Sequence, residues 1–598
     1  MSFDAPPDPL TRHQRAIVAL VALFCAATRF LALARSLWDW DEALFTMAMR
    51  DYDVTLHHPH PPGFPVYIAM ARLMQMVVGD DFRALQAVNL VAAVLVFPAM
   101  FLFARELRLR FGTSVAAAAL FAFFPNVWFF GGGAFSDIPS IVLVLFAAAF
   151  LLRGIRDPKS YFLGTFLLAL AIGIRPQNVL VGLVPGLLAT RRRRWWEVLL
   201  ALLIGVTIVG AAFGGAIQAT GSVDEYVRMV REHSDYISRV DSFRSEARPP
   251  LWRIFDRFFI KQYQSSVLSI LASLFVVCSV AGAVRERSRS LLLNALTFIP
   301  FALFAWLMLD RFSISRFSIG YQPMFAVFVA DGIGRVERWA SARNLIPERI
   351  RFAGPLAIAL IAAFFFFTLP ALTPVRKEVA PSIVAASTAA QRVDPRREQL
   401  FVGHTMMVFM DLLAPGYPYT RVVDDRAMIM DGRESSWLLA EITTTRDEGF
   451  VFRRERGALW NISRRHYFDI KLAPLRARPR FLAGWSPAET LDSHQWRWMG
   501  GRSTTLLPPV RGEAILRMHF GVPGELIAQK PTITVKVNGR VLETIAVTSD
   551  SIERDFRLQA APRDLPNVLE LSIDRVVPAA PGGHEQGLRL RYLAWGSA

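Results

Sequence analysis

The sequence predicts a polytopic α-helical membrane protein with a folded, more polar region at its C-terminal end. Apolar stretches near the length of a membrane-spanning helix recur up to about residue 370, and the rest of the chain is more polar. Hydrophobic residues make up 53% of the 598 residues, and the mean hydropathy is +0.33. With only two cysteines, this pattern excludes a single globular domain, a disordered chain and a disulfide scaffold.

Eleven apolar segments are candidate spans, because a helix needs about 20 residues to cross the hydrocarbon core. The short segments 161–175 and 177–190 are interrupted by glycine or proline, which predicts broken or re-entrant helices that line a cavity. The full set of candidate spans is 14–35, 84–104, 113–130, 137–152, 161–175, 177–190, 195–217, 264–284, 291–309, 318–334 and 353–370.

The formal net charge of +17 comes largely from arginines in the short links between apolar segments. Short basic links are typical of cytoplasmic loops, so the charge indicates membrane topology and not a nucleic-acid partner. Eleven crossings would place residues 1–13 and all the basic links inside, and the C-terminal region outside. The links are Arg105–Arg110, Arg153–Lys159, Arg191–Arg194, Arg285–Arg289 and Arg335–Arg351.

This topology predicts a spanning domain over 14–370 with two long outer loops, 36–83 and 218–263. The second loop is rich in arginine, contrary to the charge rule. Either it faces an anionic ligand or lipid headgroup, or it forms an amphipathic helix at the membrane surface among the lipid phosphates.

The extracytoplasmic region divides into two predicted domains. Residues 371–479 mix short strand-like runs with one helical stretch, which indicates a small α/β domain. Residues 480–598 alternate with period two and contain Asn538-Gly539, a strong hairpin signal, so they resemble a carbohydrate-binding β-sandwich. Its tryptophans either fill the sandwich core or stack on sugars; they are Trp485, Trp496, Trp498 and Trp595.

Three carboxylates follow the first span at the outer membrane boundary, namely Asp39, Asp41 and Glu42. Ionisable groups at such a boundary are costly, so a dense group predicts a functional site. Adjacent carboxylates can divide into an ionised base and a second group that tunes it or holds a cation. The alternative is an exposed acidic loop in which Trp38 and Trp40 belong to the aromatic belt.

A histidine-proline run in the same loop contains His57, His58 and His60. Its prolines stiffen the backbone and remove hydrogen-bond donors, which predicts a rigid loop. Histidines beside carboxylates also permit a divalent cation such as Mg²⁺ or Mn²⁺, although the spacing matches no standard metal motif. The metal requirement therefore stays open.

Seven short motifs follow one another along the spanning domain. They are Asp41-Glu42, His60-Pro61-Pro62-Gly63, Pro65–Tyr67, Ala84–Glu106, Ser136–Pro139, Ile174–Gln177 and Ser315–Pro323. In this order, the motifs resemble those of the GT-C superfamily of membrane glycosyltransferases, and most closely the protein O-mannosyltransferase and aminoarabinose-transferase branch. The resemblance covers about residues 15–370, although the position of the family's Arg-Tyr pair reads Arg316-Phe317.

The resemblance implies a sugar donor on a polyprenyl phosphate, used from within the membrane. Asp41 is then the candidate catalytic base, with Glu42 beside it. The departing phosphate needs positive charge, and Arg316, Arg175 and Arg311 are the candidates to bind it. Alternatively, Arg175 caps a short helix, and Arg311 and Arg316 extend towards lipid headgroups.

Four further residues are candidates to position the acceptor: Asp39, His58, His60 and Asp137. Asp137 follows three glycines, Gly131–Gly133, which allow the backbone to approach closely. It also lies where a helix N-cap is expected, so capping is the alternative to positioning.

The sequence therefore predicts an inverting hexosyl- or pentosyltransferase whose site faces outwards. Its partners would be a polyprenyl-phosphate-linked sugar, membrane lipids and a lipid, glycan or protein acceptor. Basic inner loops and a folded outer tail fit a bacterial inner membrane with the tail in the periplasm. The alternatives are a transporter or flippase of lipid-linked saccharides, and a non-catalytic envelope protein that binds glycans through its sandwich.

Overall fold

The structure is a computed structural model of the whole chain. It describes residues 5–240, 242–245, 249–308, 314–345, 347, 350–422, 435–441, 449–454, 469–475, 479–487, 489–491, 494–510, 512–561, 565–578 and 584–597. The chain divides into two compact units, one of residues 1–380 with 454–465 and the other of 381–453 with 466–598. The first unit is helical, and the second contains the β-sheets.

The first unit consists of helices joined by short links. Short 3₁₀ turns cover Pro176–Asn178 and Ser318–Gly320, and a π turn covers Asp256–Ile260. The helices are α1 (Arg12–Arg29), α2 (Trp40–Ala48), α3 (Pro65–Val78), α4 (Asp81–Glu106), α5 (Phe111–Phe123), α6 (Pro125–Phe130), α7 (Asp137–Arg153), α8 (Pro158–Ile174), α9 (Val179–Thr190), α10 (Trp195–Thr220), α11 (Val223–Val240), α12 (Leu251–Phe255), α13 (Ser266–Glu286), α14 (Arg289–Met308), α15 (Ile314–Phe317), α16 (Gln322–Ala342) and α17 (Ala353–Lys377).

Within the described residues, five helical segments are long and apolar enough to cross a membrane. The protein is therefore a multi-span membrane protein, and the total of eleven crossings stays a prediction. The five segments are Asp81–Glu106, Trp195–Thr220, Ser266–Glu286, Arg289–Met308 and Ala353–Arg392.

The helical path of the first unit is interrupted at two prolines, one inside a predicted span and one between two predicted spans. The segment 113–130 divides into α5 and α6 at Pro125, because proline cannot continue the hydrogen-bond ladder of α5. Between α8 and α9, Arg175 has an extended backbone and Pro176 begins the 3₁₀ turn. Arg175 therefore lies at the break between the two helices and not within either of them.

The first outer loop is held by tyrosine hydroxyls at its Pro-Gly turn. The hydroxyl of Tyr52 donates to the carbonyl of Gly63, and that of Tyr226 on α11 donates to the carbonyl of Pro62, each over 2.8 Å. Val54 and Met229 lie in the apolar cluster that joins the two segments. One face of α11 therefore packs against this loop. α11 belongs to the arginine-rich segment 218–263, which the sequence left open as either a loop that faces an anion or an amphipathic helix at the membrane surface.

The second unit begins with a mixed five-stranded sheet of order β2-β1-β3-β5-β4 and the helices α18 (Pro381–Arg392) and α19 (His404–Leu413). β1 is parallel to β2 and β3, while β5 is antiparallel to β3 and β4. Its strands are β1 (Glu398–Gly403), β2 (Thr420–Val422), β3 (Ser435–Glu441), β4 (Phe450–Arg453) and β5 (Asp469–Pro474).

The remainder of this unit contains two five-stranded sheets and the short helix α20 (Gly524–Ile527). Their orders are β13-β10-β15-β8-β7 and β12-β11-β14-β9-β6, and side chains of both contribute to one apolar core. The strands are β6 (Arg480–Phe481), β7 (Glu489–Leu491), β8 (His494–Met499), β9 (Arg502–Leu507), β10 (Glu513–Gly521), β11 (Thr532–Val537), β12 (Arg540–Ala546), β13 (Ser551–Gln559), β14 (Asn567–Ile573) and β15 (Leu588–Ser597).

The β11–β12 hairpin turns at Asn538 and Gly539, as the sequence predicts. Both residues have positive φ, 53° and 77°, which is the backbone that a tight two-residue turn between twisted strands requires.

Candidate active site

Asp41 lies in the first turn of α2, where a capping box fixes the backbone. The side chain of Asp39 accepts the N–H of Asp41 at 3.1 Å, and the side chain of Glu42 accepts the N–H of Asp39 at the same distance. These bonds satisfy N–H groups that have no partner within the helix. Asp39 therefore positions the start of α2, and the carboxylate of Asp41 is 18% exposed.

Glu42 is fully buried, and its carboxyl group accepts hydrogen bonds from backbone N–H groups. Its Oε2 accepts the N–H of Trp38 at 2.8 Å as well as that of Asp39, and its Oε1 accepts the N–H of Ala134 at 2.7 Å. Burial raises the pKa of Glu42 to about 8, although the three N–H donors act in the opposite direction. Glu42 thus ties the first outer loop to the turn before α7, which is a positioning role beside Asp41.

Arg316 on α15 connects two carboxylates that are distant in the sequence. Its Nη2 lies 2.5 Å from Oδ2 of Asp41, and its Nε lies 3.6 Å from Oδ2 of Asp137. Burial acts to lower the pKa of Arg316, but the surrounding carboxylates outweigh it and raise the pKa, so the guanidinium stays charged. The side chain is 9% exposed, which contrasts with an arginine extended towards lipid headgroups.

Arg175 forms a second ion pair with Asp137. Its Nη2 donates to Oδ2 of Asp137 at 2.9 Å, and its Nε donates to Oγ of Ser136 at 3.1 Å. Its guanidinium also lies 5.5 Å from the ring centroid of Phe64. Ser136 makes no side-chain cap to α7. The polar side chains at this turn therefore contact Arg175. The ion pairs join four residues in a continuous series of alternating charges, which we call the charge series: Asp41, Arg316, Asp137 and Arg175.

His60 is the histidine of the rigid loop that the structure brings beside Asp41. Its Nδ1 lies 4.0 Å from Oδ1 of Asp41, and its ring packs edge-on against Phe64. Burial lowers the pKa of His60 to about 4, in spite of the nearby Asp41 carboxylate. His58 instead lies 3.7 Å from Asp51. The two histidines proposed from the sequence thus have different surroundings, and His60 is neutral at pH 7.

The lowered pKa of His60 predicts a loss of stability in mild acid. Between pH 6.5 and 4 the unfolded chain takes up a proton that the folded chain does not, so stability present above pH 6.5 falls with pH. We expect His60→Asn to lose less of its Tm between pH 7 and pH 4.5 than the wild type in the same detergent. His584→Asn, at an exposed position, is the control, and an unchanged pH dependence in His60→Asn would contradict the assignment.

His233 is a site residue that the sequence reasoning missed. It lies on α11, and its ring centroid is 5.9 Å from that of His60. Burial lowers the pKa of His233 as well. The available signal was the amphipathic pattern of α11. Its packed face includes Met229 and Tyr226, which lie about one and two turns before His233.

A small cavity lies at the Arg175 end of the charge series. It measures about 20 Å³, and its lining combines the polar residues Asp137, Ser140, Arg175 and Asn178 with apolar residues such as Phe301. That volume accommodates about one water molecule. Asn178 and Ser140 hydrogen-bond to each other at 2.8 Å, so polar groups continue beyond the ion pairs.

Arg311, the third phosphate candidate, lies outside the described residues. Among the residues that are described, no group of three or more His, Cys, Asp or Glu side chains is arranged to hold a metal ion. Asp41 and Asp137 instead share the guanidinium of Arg316.

Gly132 permits the close approach that the glycine run predicts. A Cβ at Gly132 would overlap the backbone carbonyl of Ala32, and one at Gly133 would lie 2.6 Å from Oε1 of Glu42. We expect Gly132→Ala to destabilise the protein by about 1–3 kcal/mol, because a backbone group must move. Thermal unfolding in detergent tests this against Gly112→Ala, where a Cβ meets nothing within 4 Å; equal Tm values would contradict it.

Residues 57–214 match the family model of dolichyl-phosphate-mannose-protein mannosyltransferases. For that part of the chain, the match confirms the resemblance predicted from the motifs. The matched range contains His60, Asp137 and Arg175, whereas Asp41 and Arg316 lie outside it. No curated protein sequence gave a significant match.

Three solved structures align with this chain at low sequence identity. ArnT from Cupriavidus metallidurans bound to undecaprenyl phosphate is 13% identical, with a TM-score of 0.46 over 76% of this chain and 98% of that one. The Archaeoglobus fulgidus oligosaccharyltransferase tethered to an acceptor peptide is 10% identical, with a TM-score of 0.45 over 98% and 97%. The arabinofuranosyltransferase AftD from Mycobacteria is 11% identical, with a TM-score of 0.43 over 99% and 62%.

Proposed function

We propose that this protein is an inverting glycosyltransferase that moves a sugar from a polyprenyl-phosphate donor to a lipid, glycan or protein acceptor of the cell envelope. The observation that carries the proposal is the charge series. It places a partly exposed carboxylate next to two buried arginines, which are the groups needed to activate a hydroxyl and to bind a phosphate. The family model matched by residues 57–214 is also named for a dolichyl-phosphate sugar.

Asp41 acts as the general base in this proposal. An acceptor hydroxyl is a weak nucleophile, and a carboxylate within hydrogen-bond reach accepts its proton as the new glycosidic bond forms. Asp41 is the exposed member of its pair, since Glu42 is buried and holds three backbone N–H groups. His60, 4.0 Å from Asp41, lies where it can orient the acceptor.

Arg316 and Arg175 act on the leaving phosphate. As the bond between the anomeric carbon and the phosphate oxygen breaks, negative charge grows on the phosphate, and the planar guanidinium groups stabilise it. The acceptor oxygen attacks from the opposite face of the sugar, so the anomeric centre inverts. Every step uses side chains of the chain itself, and the proton ends on Asp41.

The ion pair between Arg316 and Asp41 couples donor binding to activation of the base. A phosphate oxygen that binds Arg316 competes with the carboxylate of Asp41 for the same guanidinium. Donor binding therefore weakens the hold of Arg316 on Asp41 and makes the carboxylate a better acceptor for the hydroxyl proton.

We place the site on the outer face of a bacterial inner membrane, with the N-terminus in the cytoplasm and the second unit in the periplasm. The support is the arginine-rich links of the spanning domain, which fall on one side when the spans alternate. Cysteine accessibility at the exposed ends of α13 and α14, measured in intact cells with a membrane-impermeant thiol reagent, tests this orientation.

A transfer assay tests the function. The purified protein in liposomes is given a panel of labelled polyprenyl-phosphate sugars with an envelope extract as acceptor, with and without added Mg²⁺ or Mn²⁺, and release of lipid phosphate is followed. We expect release with one donor class. Movement of an intact lipid-linked sugar across the bilayer, without release, would instead identify a flippase, and glycan binding alone would identify a non-catalytic envelope protein.

A further inference from the structure

The four tryptophans of the C-terminal double sheet divide into two pairs. Trp485 and Trp595 pack against the apolar core, and their indole N–H groups donate to Thr505 Oγ1 and to the carbonyl of Pro508. Trp496 and Trp498 do not belong to that core. They alternate along β8 with the buried Arg497 and Met499, and so they lie on the outer side of the sheet.

Two arginines of the neighbouring strand share this outer side. Arg589 lies directly opposite Trp498 in the β15–β8 ladder, and Arg591 follows two residues later. The guanidinium of Arg589 is 5.7 Å from the ring centroids of both Trp496 and Trp498. We call these four residues the Trp–Arg face.

Gly521 on β10 makes room for the two arginines. A Cβ at this glycine would lie 3.1 Å from Nε of Arg589 and 3.2 Å from Nε of Arg591, which is closer than ordinary contact. The two cationic side chains therefore lie close together over the same point of the sheet.

The electrostatics of the Trp–Arg face favour an anion. Neither Arg589 nor Arg591 forms an ion pair with another residue in the described part of the chain, and the buried Nε of Arg589 has no hydrogen-bond partner there. Burial and then the neighbouring Arg591 lower the pKa of Arg589, and the carboxylates of Asp550 and Glu489 offset this lowering only in part. An anion between the two guanidinium groups would relieve both effects.

The aromatic part of the face favours a sugar. The indole N–H of Trp496 donates to Oε2 of Glu489 at 2.9 Å, which fixes the orientation of that ring. Fixed aromatic rings stack on the apolar C–H faces of pyranose rings, while arginine forks bind carboxylates in pairs of parallel hydrogen bonds. A ligand that uses both features carries sugar rings and carboxylates.

We propose that the Trp–Arg face is a binding site for an acidic glycan, a polysaccharide segment that contains uronic acid residues. The rings of Trp496 and Trp498 receive sugar faces, and Arg589 and Arg591 receive a carboxylate. Such a glycan would be held by the second unit independently of the charge series in the first unit. Binding without any sugar donor therefore tests this site separately from the transferase activity.

The test uses the full chain in nanodiscs of neutral phosphatidylcholine. Titration calorimetry compares a hexamer of mannuronic acid with mannohexaose, its neutral counterpart. We expect the acidic hexamer to bind at least tenfold more tightly and to weaken as salt is raised, because ion pairs at a surface are screened. Equal affinity for both hexamers, or no binding of the acidic one at millimolar concentration, would overturn the proposal.

Variants locate the binding to the Trp–Arg face. Arg591→Gln and Trp498→Ala are each expected to weaken the acidic hexamer at least tenfold, and Trp498→Phe to retain most of the affinity. Arg540→Gln, the same change at an exposed position on the other sheet, is the control. Unchanged binding by Arg591→Gln and Trp498→Ala would overturn the site, and equal binding of soluble glycerophosphoglycerol would overturn the assignment to a glycan.

Discussion

Asp41→Asn is expected to reduce sugar transfer by about 100- to 10,000-fold, the range that a general base contributes. Asparagine has almost the same shape as aspartate but cannot accept the proton of an acceptor hydroxyl. Folding should be preserved, because the capping box of α2 uses the side chains of Asp39 and Glu42, and Arg316 keeps its second carboxylate, Asp137. The measurement is the rate of lipid-phosphate release in liposomes at saturating donor.

Asp80→Asn is the matched control for this variant. Asp80 caps α4 through the N–H of Arg83, asparagine caps a helix equally well, and the residue contacts none of the charge series. Transfer by Asp80→Asn should stay near the wild-type rate. Wild-type transfer by Asp41→Asn, with donor and acceptor both required, would show that another group takes the proton.

Arg316→Gln is expected to lower kcat/KM for the donor by roughly 100-fold, while KM for the acceptor changes only a few-fold. A hydrogen bond to a charged group contributes about 1.5–3 kcal/mol, and a buried charge that loses its partner costs more. Arg316 is the cation shared by Asp41 and Asp137, so its loss removes one ion pair from each, while Asp137 keeps its pair with Arg175. Varying each substrate in turn separates the two KM values.

Arg335→Gln provides the control for loss of a half-buried ion pair as such. Arg335 bridges Asp331 and Glu286 on α16 and α13, away from the charge series. We expect it to lower Tm without changing dependence on the donor. If Arg316→Gln shows the same pattern, with donor KM unchanged, the phosphate must bind elsewhere, and Arg175→Gln becomes the next variant to measure.

Much of the helical unit could be predicted from local sequence. The length of an apolar segment and the position of a helix-breaking residue are both properties of neighbouring residues in the chain. The predicted segments 195–217 and 264–284 overlap the observed α10 and α13 closely, and the predicted interruption between 161–175 and 177–190 lies at Arg175 and Pro176. The division of 113–130 at Pro125 was not predicted, although the proline is visible in the sequence. Hydropathy within that segment stays high on both sides of the break.

The site was only partly predictable, since its contacts join distant parts of the chain. The sequence identified both carboxylates and favoured Asp41 as the base, but it did not indicate what Glu42 does. The structure shows that Glu42 accepts the backbone N–H groups of Trp38 and Ala134. Nothing in the spacing of Asp41 and Arg316 indicates that they pair. His233 was missed for the same reason, because an amphipathic helix shows which face packs but not what that face meets.

The same uncertainty applied to the tryptophans of the C-terminal sheets. Alternation along β8 predicts that Trp496 and Trp498 share a side, but the side that faces the core depends on how the sheets pair. In the structure it is Arg497 that faces inward, where its guanidinium donates to the carbonyl of Ser486. A charged residue on the inner side is the opposite of what the polarity of the strand indicates. Tertiary pairing therefore settled what the strand pattern left open.

The charge series also has a consequence for biosynthesis. Asp41, Asp137 and Arg175 are inserted early, and they leave one carboxylate in excess until Arg316 is translated and packs between Asp41 and Asp137. A nascent or truncated chain that lacks Arg316 therefore exposes an unbalanced charge at the membrane boundary, which is costly. The charge balance of the series is therefore completed only when α15, one of the last helices to be made, takes its place.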